Sequence, residues 1–295
     1  MLTVTGEAKI NLTLDILGRR DDGFHEVAMV MQSIGLHDTL TLEKTCGPGI
    51  ELTIDVPGLA ADASNLAWRA ASLMQTEYGL PGGVCIRLTK RIPIAAGLAG
   101  GSTDAAAVLR GMDALYGLHL TSAELARLGA TLGSDIPFCL QGGTMLATGR
   151  GEILTRLPDL PPVWVVLAKP PISVSTAWAY KTYDASPASV HPDTEGMKQA
   201  LRDADVNGVA ARLANVLECA TLTKYDVIRQ YKELMLQNGV KASLMSGSGP
   251  TVFGITESRE IAEKTADVMR KQTEAAVFVT QTTGQTGEVL PKGSR

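Results

Sequence analysis

At 295 residues the chain is long for one hydrophobic core and comfortable for two, so two domains are expected. With 45% hydrophobic and 20% charged residues it has the make-up of a soluble globular protein. A formal net charge of −4 argues against nucleic acid or an anionic membrane as partner, since either wants a basic face, so any anion site must be local.

The opening residues lack a basic segment followed by an apolar one, and no apolar run reaches membrane-spanning length, so a cytoplasmic location is expected. Cys46, Cys85, Cys139 and Cys219 form no C-x-x-C pair and are expected reduced and buried. The histidines, His25, His37, His119 and His191, have no ligand spacing, so no metal held by the protein alone is expected. A monomer or weak homodimer is the expectation for assembly.

From Ala8 the sequence alternates, with Ile10, Leu12, Leu14 and Ile16 on one face and Lys9, Asn11, Thr13 and Asp15 on the other. That period of two predicts a strand with a buried face and a wet one. Lys9 and Asn11 project from the same side, and a lysine there is by itself a solvated surface residue. Arg20-Asp21-Asp22-Gly23 is a turn by composition, and Glu26 to Ile34 reads as a strand. Phe24-His25 stands at their junction. It is either a core aromatic beside a turn histidine, or a stacking ring beside a group that meets a base's polar edge. Strands follow at Thr39–Leu42 and Ile50–Ile54, and Asp62-Ala63-Ser64-Asn65 caps a helix carrying Leu66, Ala70, Leu73 and Met74.

The strand-like Val84-Cys85-Ile86-Arg87-Leu88 then leads into Pro93-Ile94-Ala95-Ala96-Gly97-Leu98-Ala99-Gly100-Gly101-Ser102-Thr103. Apolar residues at Ala105, Leu109, Met112 and Tyr116 follow at helical spacing. A glycine loop where a strand hands over to a helix is suited to phosphate, because first-turn amides and the positive end of the helix dipole point at one spot. A tight loop in which glycine merely permits positive φ is the plainer alternative. A Walker A loop is excluded, since Gly101 is followed directly by Ser102-Thr103 with no lysine, and the glycine spacing does not fit G-x-G-x-x-G. The positive charge for a phosphate must then come from elsewhere.

Thr121-Ser122-Ala123-Glu124 is a capping box for a short helix with Leu125, Leu128 and Leu132 that Gly133 stops. In Gly133-Ser134-Asp135-Ile136-Pro137-Phe138, Asp135 is either a helix cap or a fixed carboxylate able to take a proton from a hydroxyl. Leu157-Pro158-Asp159-Leu160-Pro161-Pro162 is the most linker-like stretch, giving expected domains at 1–157 and 163–286 with a disordered tail at 287–295. In the second domain a strand is expected at Val163–Ala168, followed by partial helix over Ser173–Tyr183 containing Trp178 and Tyr180. An amphipathic helix around Val227–Met235 comes next, then a strand, glycine turn and strand over Ala242–Phe253. A helix from Ser258 to about Arg270 and a strand at Ala276–Val279 finish an α/β sandwich of the ferredoxin kind.

The run from Pro93 to Thr103 resembles the ATP loop of the GHMP kinase superfamily, small-molecule kinases that phosphorylate a hydroxyl. Ala8-Lys9-Ile10-Asn11-Leu12, followed by Gly18-Arg19-Arg20-Asp21-Asp22-Gly23-Phe24-His25-Glu26, closely resembles the opening of the branch whose acceptor is a diphosphocytidyl polyol. Ala242–Phe253 is similar to the third motif, which packs against the ATP loop and the substrate. The resemblance implies an α+β, two-domain GHMP kinase fold, with an N-terminal ribosomal-protein-S5-domain-2-like nucleotide-binding domain and a C-terminal ferredoxin-like α/β sandwich. It implies ATP-dependent phosphorylation of 4-diphosphocytidyl-2-C-methyl-D-erythritol to the 2-phosphate, in non-mevalonate isoprenoid synthesis. By the same resemblance the residues from Pro93 to Thr103 cradle ATP, Lys9 and Asp135 form the catalytic pair, and Asn11 orients the polyol. Phe24 and His25 then read the cytosine, with Tyr180 either a second aromatic facing it or a core or interdomain residue. Mg²⁺ is expected with ATP, held by the nucleotide and Ser102. Phe24 departs from the family, which more often has Tyr there, so stacking survives but a phenol hydrogen bond does not. The rivals are a GHMP kinase for mevalonate, homoserine or a sugar, and a nucleotide-binding regulator on the same scaffold without catalysis.

Overall fold

The computed structural model describes residues 1–285, and the tail expected at 287–295 lies outside the described residues. The first half begins with three strands, β1 (Leu2–Arg19), β2 (His25–Thr45) and β3 (Gly49–Ile54). Helix α1 (Leu66–Tyr78), strand β4 (Gly83–Thr89) and helices α2 (Gly100–Tyr116), α3 (Ser122–Leu132) and α4 (Ile136–Gln141) follow, then strands β5 (Thr144–Thr148) and β6 (Ile153–Arg156). The second half runs β7 (Trp164–Lys169), α5 (Thr176–Ala185), α6 (Thr194–Arg202), α7 (Val206–Ala211), β8 (Ala214–Asn215) and α8 (Glu218–Lys224). It closes with α9 (Asp226–Gln237), β9 (Ala242–Met245), β10 (Val252–Thr256), α10 (Arg259–Gln272) and β11 (Ala276–Gln281).

The two strands expected at Glu26–Ile34 and Thr39–Leu42 are one long strand, β2, which pairs with β1 over most of its length. Its far end pairs with β4 and its near end with β5, so a single strand organises a seven-stranded sheet. The second sheet, in the order β11-β7-β10-β9, is antiparallel throughout. With α9 and α10 it makes the ferredoxin-like βαββαβ arrangement that was expected. The apolar run of β7 is buried on both faces: Val165 and Leu167 belong to one core cluster, Val166 and Ala168 to the other.

The wet face expected for β1 does not exist, because Lys9, Asn11, Thr13 and Asp15 are all buried. Nor do the four apolar residues share one face. Ala8, Ile10 and Leu12 pack with Val165, Leu167 and Phe253 of the second sheet, whereas Leu14 and Ile16 pack in the cluster that holds the helices of the first half. A register shift against β2 between Asn11 and Thr13 is the cause, since one extra residue turns a strand over. Layers on both sides of the sheet therefore force even its polar side chains inside.

The stretch Leu157–Pro162 carries no helix or strand but is packed, with Leu157 and Leu160 buried. Beyond it β8 returns to the first sheet, parallel to β1 at Thr13–Leu14, and Thr282 bridges back to Ile34. The four cysteines are unpaired, yet Cys46 and Cys219 are exposed rather than buried.

Candidate active site

The strand-to-helix passage β4–α2 forms as the sequence predicts, and the loop between them is held by its neighbours. Both Ala95 and Ala99 take left-handed φ, at 51° and 60°, beside Gly97 at 76°. Two alanines there store backbone strain of the kind found around ligand sites. A Cβ on Gly97 would overlap the Ser246 carbonyl, and Ser246 Oγ donates to the Gly97 carbonyl at 3.0 Å. The glycine turn between β9 and β10 thus packs directly on the loop. Gly100 and Gly101 open α2 itself, and a Cβ at Gly100 would sit 3.4 Å from Lys90 Nζ.

Lys90 is one of the residues missed by sequence reasoning. Its ammonium lies 2.5 Å from Asp38 Oδ2 and 2.7 Å from Asp104 Oδ2, with all three side chains buried beneath the loop. Asp38 Oδ1 also accepts from the Arg91 and Ile92 amides, so the cluster pins the loop's entry to its exit at α2. Burial pushes the Asp104 carboxyl up to about 7, against the pull of Lys90 and with the push of Asp38. Burial also works against the Lys90 ammonium, but the two carboxylates more than offset it and hold that group above its usual value. The available signal was Asp104 directly ahead of the apolar run Ala105–Val108, where a carboxylate drawn inside with the helix needs a buried partner.

Lys9 and Asp135 converge. Lys9 Nζ is 3.9 Å from Asp135 Oδ2 and donates to Asn11 Oδ1 at 2.8 Å. Asp135 occupies the N-cap position of α4, yet its side chain makes no capping bond. The carboxylate is left facing the cleft, 33% exposed against 6% for Lys9. Asn11 does not line that cleft: its amide donates to Met29 Sδ at 3.5 Å and its oxygen holds Lys9 from behind. Leu98 and Thr103, expected in the cradle, also face away into buried surroundings. The Leu98 carbonyl instead accepts from the Lys9 amide at 3.2 Å, which ties β1 to the loop.

A cleft of about 1270 Å³ joins these groups. Pro93–Gly97, Ala99 and Gly100–Ser102 line it together with Lys9, Asp135 and the turn residues Gly247–Gly249. Asn215 of β8, also missed by sequence reasoning, holds that turn by donating to the Met245 and Gly247 carbonyls at 2.9 and 2.7 Å. Phe24, His25 and Tyr180 line the same cleft. Phe24 is 52% exposed, with the Arg150 guanidinium 5.0 Å from its ring centre, which is no place for a core aromatic. The His25 and Tyr180 rings lie 4.9 Å apart, and burial pushes the Tyr180 phenol above its usual range. Nothing in the sequence connected Arg150 or Asp184 to these rings.

Two family models match the chain, "GHMP kinases N terminal domain" over residues 65–143 and "GHMP kinases C terminal" over residues 188–275. The loop, the two sheets and the shared cleft are therefore those of a GHMP kinase. A 4-diphosphocytidyl-2-C-methyl-D-erythritol kinase from Acetivibrio thermocellus is 46% identical over 95% of this chain and 99% of its own length. One from Synechococcus sp. is 48% identical over 98% of this chain and 96% of its own. A crystal structure of 4-(cytidine 5'-diphospho)-2C-methyl-D-erythritol kinase superposes with a TM-score of 0.81 at 35% identity, covering 96% of this chain and 100% of that one. Homoserine kinase from Cytophaga hutchinsonii shares the fold, with a TM-score of 0.77 at 19% identity, covering 97% of this chain and 95% of that one. The chain belongs to the 4-diphosphocytidyl-2-C-methyl-D-erythritol kinase family.

Proposed function

We propose that Lys9 and Asp135 carry out the phosphoryl transfer of this family in the chain described here. The reaction moves the γ-phosphoryl of ATP to a hydroxyl of 4-diphosphocytidyl-2-C-methyl-D-erythritol, giving the 2-phosphate and ADP. Asp135 takes the hydroxyl proton as the oxygen attacks phosphorus, and the bond to the ADP oxygen breaks. Lys9, fixed by Asn11, offsets charge on the transferring group. Such transfers need an aligned nucleophile and charge compensation more than covalent chemistry from the protein. The single observation that carries this reading is the 3.9 Å approach of Lys9 to an Asp135 that caps nothing, in the cleft beside the glycine loop.

The nucleotide's phosphates lie on the loop and the first turn of α2, where amides lack intrahelical acceptors. Cytosine stacks on Phe24, with His25 and Tyr180 beside it. Among the described residues no group of three or more His, Cys, Asp or Glu side chains could hold a metal ion, while Ser102 offers one hydroxyl at the start of α2. That donor set fits a Mg²⁺ that arrives with the triphosphate and keeps water, as Mg²⁺ commonly does. When bound, the ion would neutralise charge on the β- and γ-oxygens. No helix among the described residues is long and apolar enough to cross a membrane. The unpaired cysteines suit a reducing compartment, and the reading places the enzyme in the cytoplasm.

ADP release measured with and without the diphosphocytidyl acceptor tests the activity, with acceptor-dependent release as the expected result. Equal release with mevalonate or homoserine in its place would overturn the acceptor assignment.

A further inference from the structure

The second half of the chain reaches back to the first beside the cleft, where Asp184 Oδ1 lies 2.7 Å from His25 Nε2, and again outside it, where residues 282–285 follow β11. The mechanism above gives that second contact nothing to do. Thr282 pairs with Ile34 and Gln285 with Gly142, so the segment runs as a strap from the middle of β2 to the end of α4. It crosses β2 at an irregularity. Lys9 pairs with Ser33 and Glu7 with His37, so three residues of β2, 34–36, stand opposite Ala8 alone. A bulge re-aims the side chains next to it, and Lys9 is next to this one.

The strap, the bulge and α4 meet at Ser33. Its amide donates to the Gly143 carbonyl at 3.0 Å, and its buried hydroxyl accepts from the Gly143 amide at 2.7 Å. The same hydroxyl donates to the strap, where the Thr283 and Gly284 carbonyls lie at 3.1 and 3.2 Å, and the Ser33 carbonyl accepts from the Thr283 amide at 2.9 Å. Thr283 Oγ1 donates in turn to Glu7 Oε2 at 2.8 Å, on β1 just before the bulge. Gly143 follows α4, a helix of six residues whose N-cap is Asp135. At about 1.5 Å per residue such a helix is about 9 Å long, too short to curve, so fixing its far end fixes its near one. Glu7, Ser33 and Thr283 stand outside the lining of the cleft. Ser33 thus joins the strand pair that carries Lys9 to the helix that presents Asp135.

We propose that Ser33 is a positioning residue for phosphoryl transfer: held by the strap through Thr283, it sets the spacing of Lys9 and Asp135 across the cleft. The inference rests on the reading of those two as the catalytic pair. In-line transfer is sensitive to such spacing, since a misplacement of about 1 Å can cost about 10²-fold.

The test measures single-turnover phosphoryl transfer at saturating ATP and diphosphocytidyl acceptor, together with KM for each substrate and the melting temperature, in Ser33→Ala, Thr283→Val and Thr283→Ser. Ser33→Ala should slow transfer at least about tenfold while both KM values stay within about twofold. Thr283→Val keeps the shape of the side chain but loses its bond to Glu7, so it should slow transfer less, and Thr283→Ser, which keeps the hydroxyl, should restore it. A Ser33 that served only the fold would lower the melting temperature and leave transfer within about twofold, which would overturn the proposal. An Asp135→Asn background shows whether Ser33 acts through the pair. There Ser33→Ala should cost less than about threefold more, and a further loss as large as in the unaltered chain would also overturn the proposal. If Ser33→Ala does not fold, the Thr283 variants decide: a loss in Thr283→Val that Thr283→Ser regains sustains the proposal, and equal rates overturn it. Turnover of Asp135→Asn within about tenfold of the unaltered chain removes the functional reading and this inference together, whereas a deficient Asp135→Asn beside an unimpaired Ser33→Ala removes only the inference.

Discussion

Two lysines in this protein meet aspartates, and the pairs are built differently. Lys90 sits between Asp38 and Asp104 at 2.5 and 2.7 Å, and none of the three side chains is more than 4% exposed. Lys9 keeps 3.9 Å from Asp135, whose carboxylate is a third exposed and free of backbone bonds. The first cluster spends its hydrogen bonds on holding the loop between β4 and α2. The second leaves its carboxylate available to a third party. The closed pair is a structural fastening and the open one is the pair proposed for chemistry, although the residue types are the same.

The largest expected effect is at the open pair. Asp135→Asn should lower kcat by about 10²–10⁴-fold while KM for ATP and the melting temperature stay near those of the unaltered protein. Turnover within tenfold would remove Asp135 from proton transfer. At the closed cluster the balance reverses. Lys90→Met leaves two buried carboxylates without a cation and should cost about 3–5 kcal/mol of stability in urea unfolding. Adding Asp104→Asn to that variant should recover part of the loss, and a cost below about 1 kcal/mol would show that the cluster is not a fastening.

Phe24→Ala tests whether the exposed ring serves ligand or fold. KM for the diphosphocytidyl acceptor should rise by the equivalent of about 1–3 kcal/mol with unfolding unchanged. A melting shift without a KM change would make the ring structural. The smallest effect expected is a pH dependence. The folded Asp104 carboxyl is held near 7, above its ordinary 3.8, so its contribution to stability is present below about pH 4 and lost as pH rises through 7. Urea midpoints should fall between pH 5 and 8 by the equivalent of about 1–2 kcal/mol, and Asp104→Asn should flatten that slope. An equal slope in the variant would place the titration elsewhere.

Short-range features were legible in the residues. The capping box at Thr121–Glu124 forms with both reciprocal bonds, and Asn65 and Ser258 cap α1 and α10 through their side chains. The glycine loop, its helix and the β9–β10 turn are where spacing placed them, because turns, caps and periodicity are decided within a few residues. Lys9, Asp135, Phe24 and His25 were picked out by their motifs, but their geometry was not written there. Whether Asp135 caps a helix or faces a cleft depends on Lys9, more than a hundred positions earlier in the chain. The burial of the polar side of β1 depends on a second sheet and a one-residue register shift. Lys90 with its two carboxylates, Asn215 on the glycine turn and Asp184 on His25 are partnerships across long loops. Sequence determined which residues could do chemistry. Only the packing of two sheets, with helices over the first, decided which of them are free to do it, because a charge is silent or reactive according to what surrounds it.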